Sequence, residues 1–197
     1  LHGHHYGLVA VRANRIMQPA PLPPLVPLSG ALLAVSSDQV LETLPITGRP
    51  DGVKASPDGR YAVVADEGGG NILVYGLSGG AGQIHLAARI SRATLQSFYN
   101  GVPNPTGDFI EPESIGFAPD SSFALVTIQD SSSVAAIDMT AITLGQEQGG
   151  LTPEQIGDAA LKSVVHLAHG FRNNVNTATG LKFRGVEPDG VAVSPDG

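Results

Sequence analysis

The sequence predicts an all-β protein built from short antiparallel strands in repeated units, on three observations. The first is punctuation. The 197 residues include 25 Gly and 15 Pro within a composition that is 42% hydrophobic, and Gly plus Pro exceeds the roughly 12% of average usage. The second is a ten-residue pattern that occurs three times. The third is the alternation of β-rich runs with tight-turn residues at short spacing.

The repeated pattern is a charged residue, Pro, an acid, a small residue, an apolar residue, two variable positions, a small residue and then Pro-Asp. It runs from Arg49-Pro50-Asp51-Gly52-Val53 to Pro57-Asp58, from Glu111-Pro112-Glu113-Ser114-Ile115 to Pro119-Asp120, and from Glu187-Pro188-Asp189-Gly190-Val191 to Pro195-Asp196. Internal repetition of this kind marks propellers, solenoids and arrays.

The elements follow in order. Residues 1–29 form a Pro-rich N-terminal segment with room for an edge strand. In the half blade 30–48, Ala31–Ser36 and Val40–Ile46 flank a Ser37-Asp38-Gln39 turn and are expected as the outer strands of a preceding blade. The blade 49–90 opens with a strand over Gly52–Ser56. A Pro57-Asp58-Gly59 turn follows, in which Pro presets φ, Asp bonds its own backbone and Gly accepts positive φ. Tyr61–Asp66 is the second strand, Gly68-Gly69-Gly70 a turn, Asn71–Leu77 the third strand and Gln83–Ile90 the outer fourth.

A helical insertion, 91–110, starts with a short helix over Ser91–Tyr99 capped by Ser91. The blade 111–140 repeats the strand pattern over Ser114–Ala118, Phe123–Gln129 and Val134–Met139. A second helical insertion spans 141–184. Its helix is predicted over Thr152–His169, with Thr152 as N-cap, Pro153 at the first position, Gln155 completing a capping box and Gly170 as terminator. Ile156, Ala160, Val164 and Leu167 share one face of that helix. Residues 185–197 begin the next blade.

Four antiparallel strands per repeat is one blade of a β-propeller. The fold class is therefore an all-β propeller of four-stranded antiparallel blades, about three of them present and the ring incomplete, with short helical insertions. Apolar faces carrying Val63, Ile72, Val74, Leu125, Ile128, Val134 and Ile137 are expected to hold it together. Asp58, Asp120 and Asp196 stand 62 and 76 residues apart, more than the ~40–45 residues of a plain blade, and the two insertions account for the excess.

Composition excludes several functions. With 11 Lys+Arg against 18 Asp+Glu the formal charge is −7, and an acidic surface repels nucleic-acid phosphates. No Cys means no disulfide, thiolate metal site or thiol nucleophile. The most apolar stretch, Pro19–Val35, is broken by Pro21, Pro23, Pro24 and Pro27 and is not a membrane span. No signal peptide is visible, and both ends read as cut, so the expectation is a piece of a longer polypeptide.

The phrases Gly48-Arg49-Pro50-Asp51-Gly52-Val53 and Ser56-Pro57-Asp58-Gly59-Arg60-Tyr61-Ala62-Val63-Val64-Ala65 resemble the YVTN-type β-propeller repeats of lactonase-like and surface-layer proteins. Glu111-Pro112-Glu113-Ser114-Ile115, followed by Ala124-Leu125-Val126-Thr127-Ile128-Gln129-Asp130 and the helical insertion, is similar to the choice-of-anchor I proteins. Gly185-Val186-Glu187-Pro188-Asp189-Gly190-Val191 resembles propellers described as having an esterase-like activity of phytase. The resemblance implies an extracellular or periplasmic propeller, often one module of a larger protein, and singles out no reaction.

The candidate site residues are the charges just before each first strand: Arg49 and Asp51, Glu111 and Glu113, Glu187 and Asp189. The first strand of a blade is innermost, so these groups are expected at one mouth of the central channel. Two readings stand. The charges pair with one another and tie neighbouring blades, or they bind a ligand, with Glu111, Glu187 and Asp189 holding Ca²⁺, a hard cation that takes 6–8 oxygens.

The Pro-Asp turns read as structural. His2, His4 and His5 read as a tail. His166 and His169 read as caps on the last helical turn, and His85 as a strand-edge residue. No Gly-x-Ser-x-Gly elbow is present, and neither Gly68–Gly70 nor Gly79–Gly82 follows the phosphate-loop pattern. Arg172–Thr179 reads as an exposed loop.

The first functional expectation is a secreted or periplasmic propeller module that binds a protein, glycan or small-molecule ligand on its loop face. The alternative is a Ca²⁺-dependent hydrolase of phytase, phosphoesterase or lactonase type, whose metal would activate a water at the channel mouth. Three converging ligands would mark the enzyme. Acids paired with Arg49, Lys54 or Arg184 would mark the scaffold.

Overall fold

The structure is a computed structural model that describes residues 6–12, 30–98, 110–129, 131–167, 172–176, 180–184 and 188–195. The histidines at 2, 4, 5 and 169, Glu187, Asp196 and the loop from Asn100 to Asp108 lie outside them.

Three antiparallel sheets stack side by side. The first is β1 (Gly7–Arg12), β2 (Gly30–Val35) and β3 (Val40–Ile46). The second is β4 (Pro50–Ala55), β5 (Tyr61–Asp66), β6 (Asn71–Gly76) and β7 (His85–Ile90). The third is β8 (Pro112–Phe117), β9 (Phe123–Ile128), β10 (Ser133–Asp138) and β11 (Leu161–His166). β12 (Arg172–Asn176) and β13 (Gly180–Arg184) pair as a separate hairpin. Within each sheet the strands follow chain order. β1 lies beside β4, and β4 beside β8. The segment 188–195 continues the row, with Val191 and Val193 set against Gly116 of β8. A row of first strands, each leading outward into its own meander, is the arrangement of propeller blades. The fold is a β-propeller.

Strand alternation builds the two cores. Odd residues of β5 (Tyr61, Val63, Ala65) and even residues of β6 (Ile72, Val74) face the third sheet, where Ile115, Val126, Ile128, Ala135 and Ile137 meet them. The opposite face of the second sheet, with Ala62, Val64, Leu73 and Tyr75, packs on Leu32, Ala34 and Ile46 of the first. The middle sheet is thus buried on both faces, as continuous apolar runs such as Tyr-Ala-Val-Val-Ala require. Leu125 and Val134, expected in the core, are only half-buried. They point to the other side of the third sheet, beyond which no described sheet packs.

The strand expectations hold in the second and third sheets to within two residues at most ends. In the first sheet, Gly30–Val35 and Val40–Ile46 lie outside an inner strand that the sequence pattern left as an N-terminal edge strand, Gly7–Arg12.

The insertions contain three helices. α1 (Arg92–Ser97) is capped by Ser91, whose Oγ accepts from Thr94 N at 3.1 Å. α2 (Met139–Gln148) starts directly after β10 because Asp138 caps it, accepting from Ala141 N at 2.9 Å. α3 (Pro153–Ala160) has the expected capping box between Thr152 and Gln155. The expected helix to His169 is corrected here. It stops at Ala160, and Leu161–His166 becomes the outer strand of the third sheet, paired with β10. Ile156, Ala160 and Val164 do reach one core, the first two from the helix and Val164 from the strand.

Gly157 is the point where α3 meets β7. A Cβ there would collide with the Arg89 carbonyl, so only glycine allows the helix this close. Gln146 Nε2 adds a 2.8 Å bond to the Ala87 carbonyl, and Thr94 Oγ1 one of 2.7 Å to Asp158. The helices therefore cover the outer edge of the middle sheet, a position that natural sheets protect against strand addition.

Candidate functional site

β4 and β8 begin at the same end of the row, so Asp51 and Glu113, expected just before the strands but placed as the second residue of each, gather there with Asp189. Pro50 and Pro112 fix φ at the start of their strands, and both strands carry an irregular register next to the proline. These irregularities turn the acid side chains away from the strand ladder. The result is a cleft of about 560 Å³ lined by Asp51, Gly52, Val53 and Lys54 of β4, by Glu113, Ser114 and Ile115 of β8, and by Gln129 and Asp189.

Of the six candidate residues, Asp51, Glu113 and Asp189 line this cleft. Arg49 and Glu111 do not, and Glu187 lies outside the described residues. Asp189 accepts from Gln129 Nε2 at 2.7 Å. Partial burial pushes the Glu113 carboxyl above its ordinary range, and the negative charges of Asp189, Glu67 and Glu111 push the same way, against the opposing pull of Arg12.

Much of the remaining charge is paired. Arg12 of β1 forms ion pairs with Asp51 and, at 2.5 Å, with Glu67, and its Nε donates to the Pro50 carbonyl at 3.3 Å. Arg49 reaches the other Glu67 oxygen at 2.9 Å. The expected pairing of acids with cations is thus present at the first-to-second blade junction, with Arg12 and Glu67 as partners. Sequence reasoning missed both. Glu67 follows β5 directly and precedes the glycine turn, whereas Arg12 carries no local signal at all.

Among the described residues no group of three His, Asp or Glu side chains is placed to hold a metal ion. Of the carboxylates that line the cleft, Asp51 pairs with Arg12 and Asp189 accepts from Gln129 Nε2.

The other singled-out residues have structural places. His166 sits on β11, not on a helix, and its Nδ1 lies 2.8 Å from Ser133 Oγ. Ser133 is fully buried and its hydroxyl also donates to the Ser131 carbonyl. His85 is exposed on β7 with Gln146 3.3 Å away. Asp58 and Asp120 each accept bonds within their own turns. Residues 172–176 form a strand where a loop was expected.

No protein-family profile matches the chain, and no curated protein matches it in sequence. Among solved structures, Kuenenia stuttgartiensis hydrazine synthase is 17% identical with a TM-score of 0.55, over 89% of this chain and 49% of that one. The periplasmic gluconolactonase PpgL of Pseudomonas aeruginosa is 20% identical with a TM-score of 0.45, over 73% and 37%. The β-propeller domain of Myceliophteria thermophila Cps50 (Swd1) is 10% identical with a TM-score of 0.46, over 70% and 37%. At these identities the likeness is one of fold alone. The chain spans half or less of the length of each.

Proposed function

We propose that this chain is a secreted or periplasmic β-propeller module that binds a small polar ligand in the cleft at its channel mouth. The observation that carries the reading is the cleft's lining. Side chains from β4 and β8, from Gln129 just after β9 and from Asp189 in the segment beside β8 meet there, offering a cation (Lys54), a hydroxyl (Ser114), an amide (Gln129) and carboxylates (Asp51, Glu113, Asp189). Few convergent polar groups in a concave site are what orient a ligand. With no aromatic platform among the described lining residues, recognition rests on hydrogen bonds and charge, which suits a glycan or another polyhydroxylated molecule. The location rests on the resemblance to the YVTN-type repeats.

The test is a calorimetric or thermal-shift screen of neutral and acidic sugars against the chain, repeated with Gln129→Ala and Ser114→Ala. A ligand that binds only the native state at a hundredfold excess over Kd adds about 2.7 kcal/mol of stability. Loss of a hit's shift in both variants supports the cleft; a shift unchanged in both refutes it.

The second reading is the lactonase or phosphoesterase with Ca²⁺, favoured by the way Glu113 and Asp189 face the same cleft. It would need donors beyond the described residues, with Glu187 the first to examine. Calcium titration of the melting temperature separates the two readings, since the glycan module needs no rise.

A further inference from the structure

We propose that the ligand of the cleft carries both an ammonium and a carboxylate group, the first set on Glu113 and the second on Lys54. The inference rests on the reading of the cleft as the binding site and adds the charges of what it binds. The observation is a tie between blades that the repeat makes twice and breaks once.

Each repeat opens with an acid: Asp51, Glu113 and Asp189. Asp51 of the second sheet is held by Arg12 of the first. Asp189, in the segment beside β8, is held by Gln129, whose Nε2 donates to it at 2.7 Å. Glu113 has no such partner among the described residues. Aligned on Asp58 and Asp120, the repeats place Glu67 in the second sheet where the third has Gln129. A carboxylate has no proton to donate, and its two oxygens are already taken by Arg12 and Arg49. Partial burial, and then the charges of Asp189, Glu67 and Glu111, push the Glu113 carboxyl upward against the pull of Arg12. A ligand cation would relieve that excess of negative charge.

The cation of the cleft is equally unmatched. Lys54 lines it together with Glu113, yet forms no ion pair or hydrogen bond with a described residue. Arg12, Arg49, Arg89 and Lys162 each meet an acid. The same alignment puts Gly116 in its place on β8, so the lysine belongs to this junction and not to the repeat. Gly52 abuts the Glu113 carbonyl, and Lys54 lies two residues further along β4, about 6.6 Å. One cleft of about 560 Å³ thus holds two opposite charges that do not pair with each other, and its size suits a small molecule. A ligand bearing both charges meets each with a charge-assisted hydrogen bond. A neutral sugar meets neither.

Two molecular frames offer this pair of charges, an amino acid and an amino-sugar acid, and calorimetry at neutral pH separates them. The probe for the first is 4-aminobutyrate, set against butyrate and butylamine. The probe for the second is 2-amino-2-deoxyglucuronate, set against glucuronate and glucosamine. At least one doubly charged probe should bind, and its singly charged counterparts about tenfold or more weakly, the loss of one charge-assisted bond. Lys54→Met should then bind the probe no better than the amine counterpart. Glu113→Gln should bind it no better than the acid counterpart. Both variants should keep the natural circular dichroism spectrum, since neither side chain is tied to another. Failure of both doubly charged probes to bind, or a preference for them that survives in either variant, overturns the inference. A sugar that binds at least as well as these probes, and is lost in Gln129→Ala and Ser114→Ala, overturns it while leaving the cleft as the site. Probes that bind the natural chain and all four variants alike overturn both readings.

Discussion

The backbone N–H of Asp58 donates to the Oγ of Ser121 at 3.0 Å, so the Pro-Asp turn of one blade is tied to the same turn of the next. Ser121 stands where the first copy has Gly59, and both adopt positive φ, 63° and 70°. An L-residue in that conformation costs about 1 kcal/mol. The bond to Asp58 offsets the cost. Ser121→Ala keeps the strain and takes the Oγ acceptor from the N–H of the exposed Asp58, a loss of about 1 kcal/mol. Ser121→Gly loses the bond but relieves the strain and should be nearly neutral. Urea unfolding of the two variants measures the difference.

Gly157 makes a sharper test of the helical insertion. Alanine at this position drives a Cβ into the Arg89 carbonyl, and a rigid backbone partner cannot turn aside. Overpacking of this kind costs about 1–3 kcal/mol. If α3 serves to cover β7, Gly157→Ala should also speed aggregation on mild heating, because lifting the helix bares a strand edge. Denaturant midpoints and light scattering at a temperature below unfolding report the two effects separately.

The contrast between these positions explains what could be read from the sequence. The strands of the middle blade were legible because each turn is written in local chemistry, with Pro57-Asp58-Gly59 and Gly68–Gly70 flanking runs of β-branched and aromatic residues. The start of α3 was legible for the same reason, since its cap is local. Its end was not. Leu161–His166 fits a helical face as well as a strand, and pairing with β10, about 28 residues earlier in the chain, decides the matter. At the site, the repeated acids Asp51, Glu113 and Asp189 share one cleft. Arg12 lies 39 residues before Asp51, and only tertiary structure joins them.

That joining is itself testable. Arg12 bridges Asp51, Glu67 and the Pro50 carbonyl across the first two blades. Arg12→Ala leaves Asp51 without its cation, while Glu67 keeps Arg49. The Arg12 side chain is 41% exposed, so solvent screens the loss to about 1 kcal/mol. Stability should be more salt-sensitive in the natural chain than in the variant, since the screened attraction exists only there. Lys54→Ala, by contrast, removes none of these bonds and serves as the control. Thermal melts at low and high ionic strength check both.

Glu113 sets the pH dependence at the mouth. Burial, together with the charges of Asp189, Glu67 and Glu111, raises its folded-state pKa above the ordinary 4.5. A raised carboxyl binds its proton more tightly when folded than when unfolded. It therefore favours the native state below pH 4.5, and that contribution is lost as pH rises through the folded-state pKa. At neutral pH the ionised group works against the fold. Glu113→Gln should consequently raise the melting temperature at pH 7 and have little effect near pH 4. Asp58 runs the other way. Burial alone would raise it, but hydrogen bonds from Ser56 and the Arg60 N–H, with the Arg60 charge, hold it below 3.8. Its contribution is present above that pH and is lost as acid protonates the folded form. Melting curves of Glu113→Gln and Asp58→Asn from pH 3 to pH 8 should thus depart from the natural chain in opposite directions at neutral pH, the first upward and the second downward, with both differences shrinking in acid. For Asp58→Asn the deficit is largest at neutral pH and shrinks as the natural chain loses the same charge. A Glu113→Gln melting temperature equal to that of the natural chain at pH 7 would show that the mouth charges are screened by solvent rather than felt by one another.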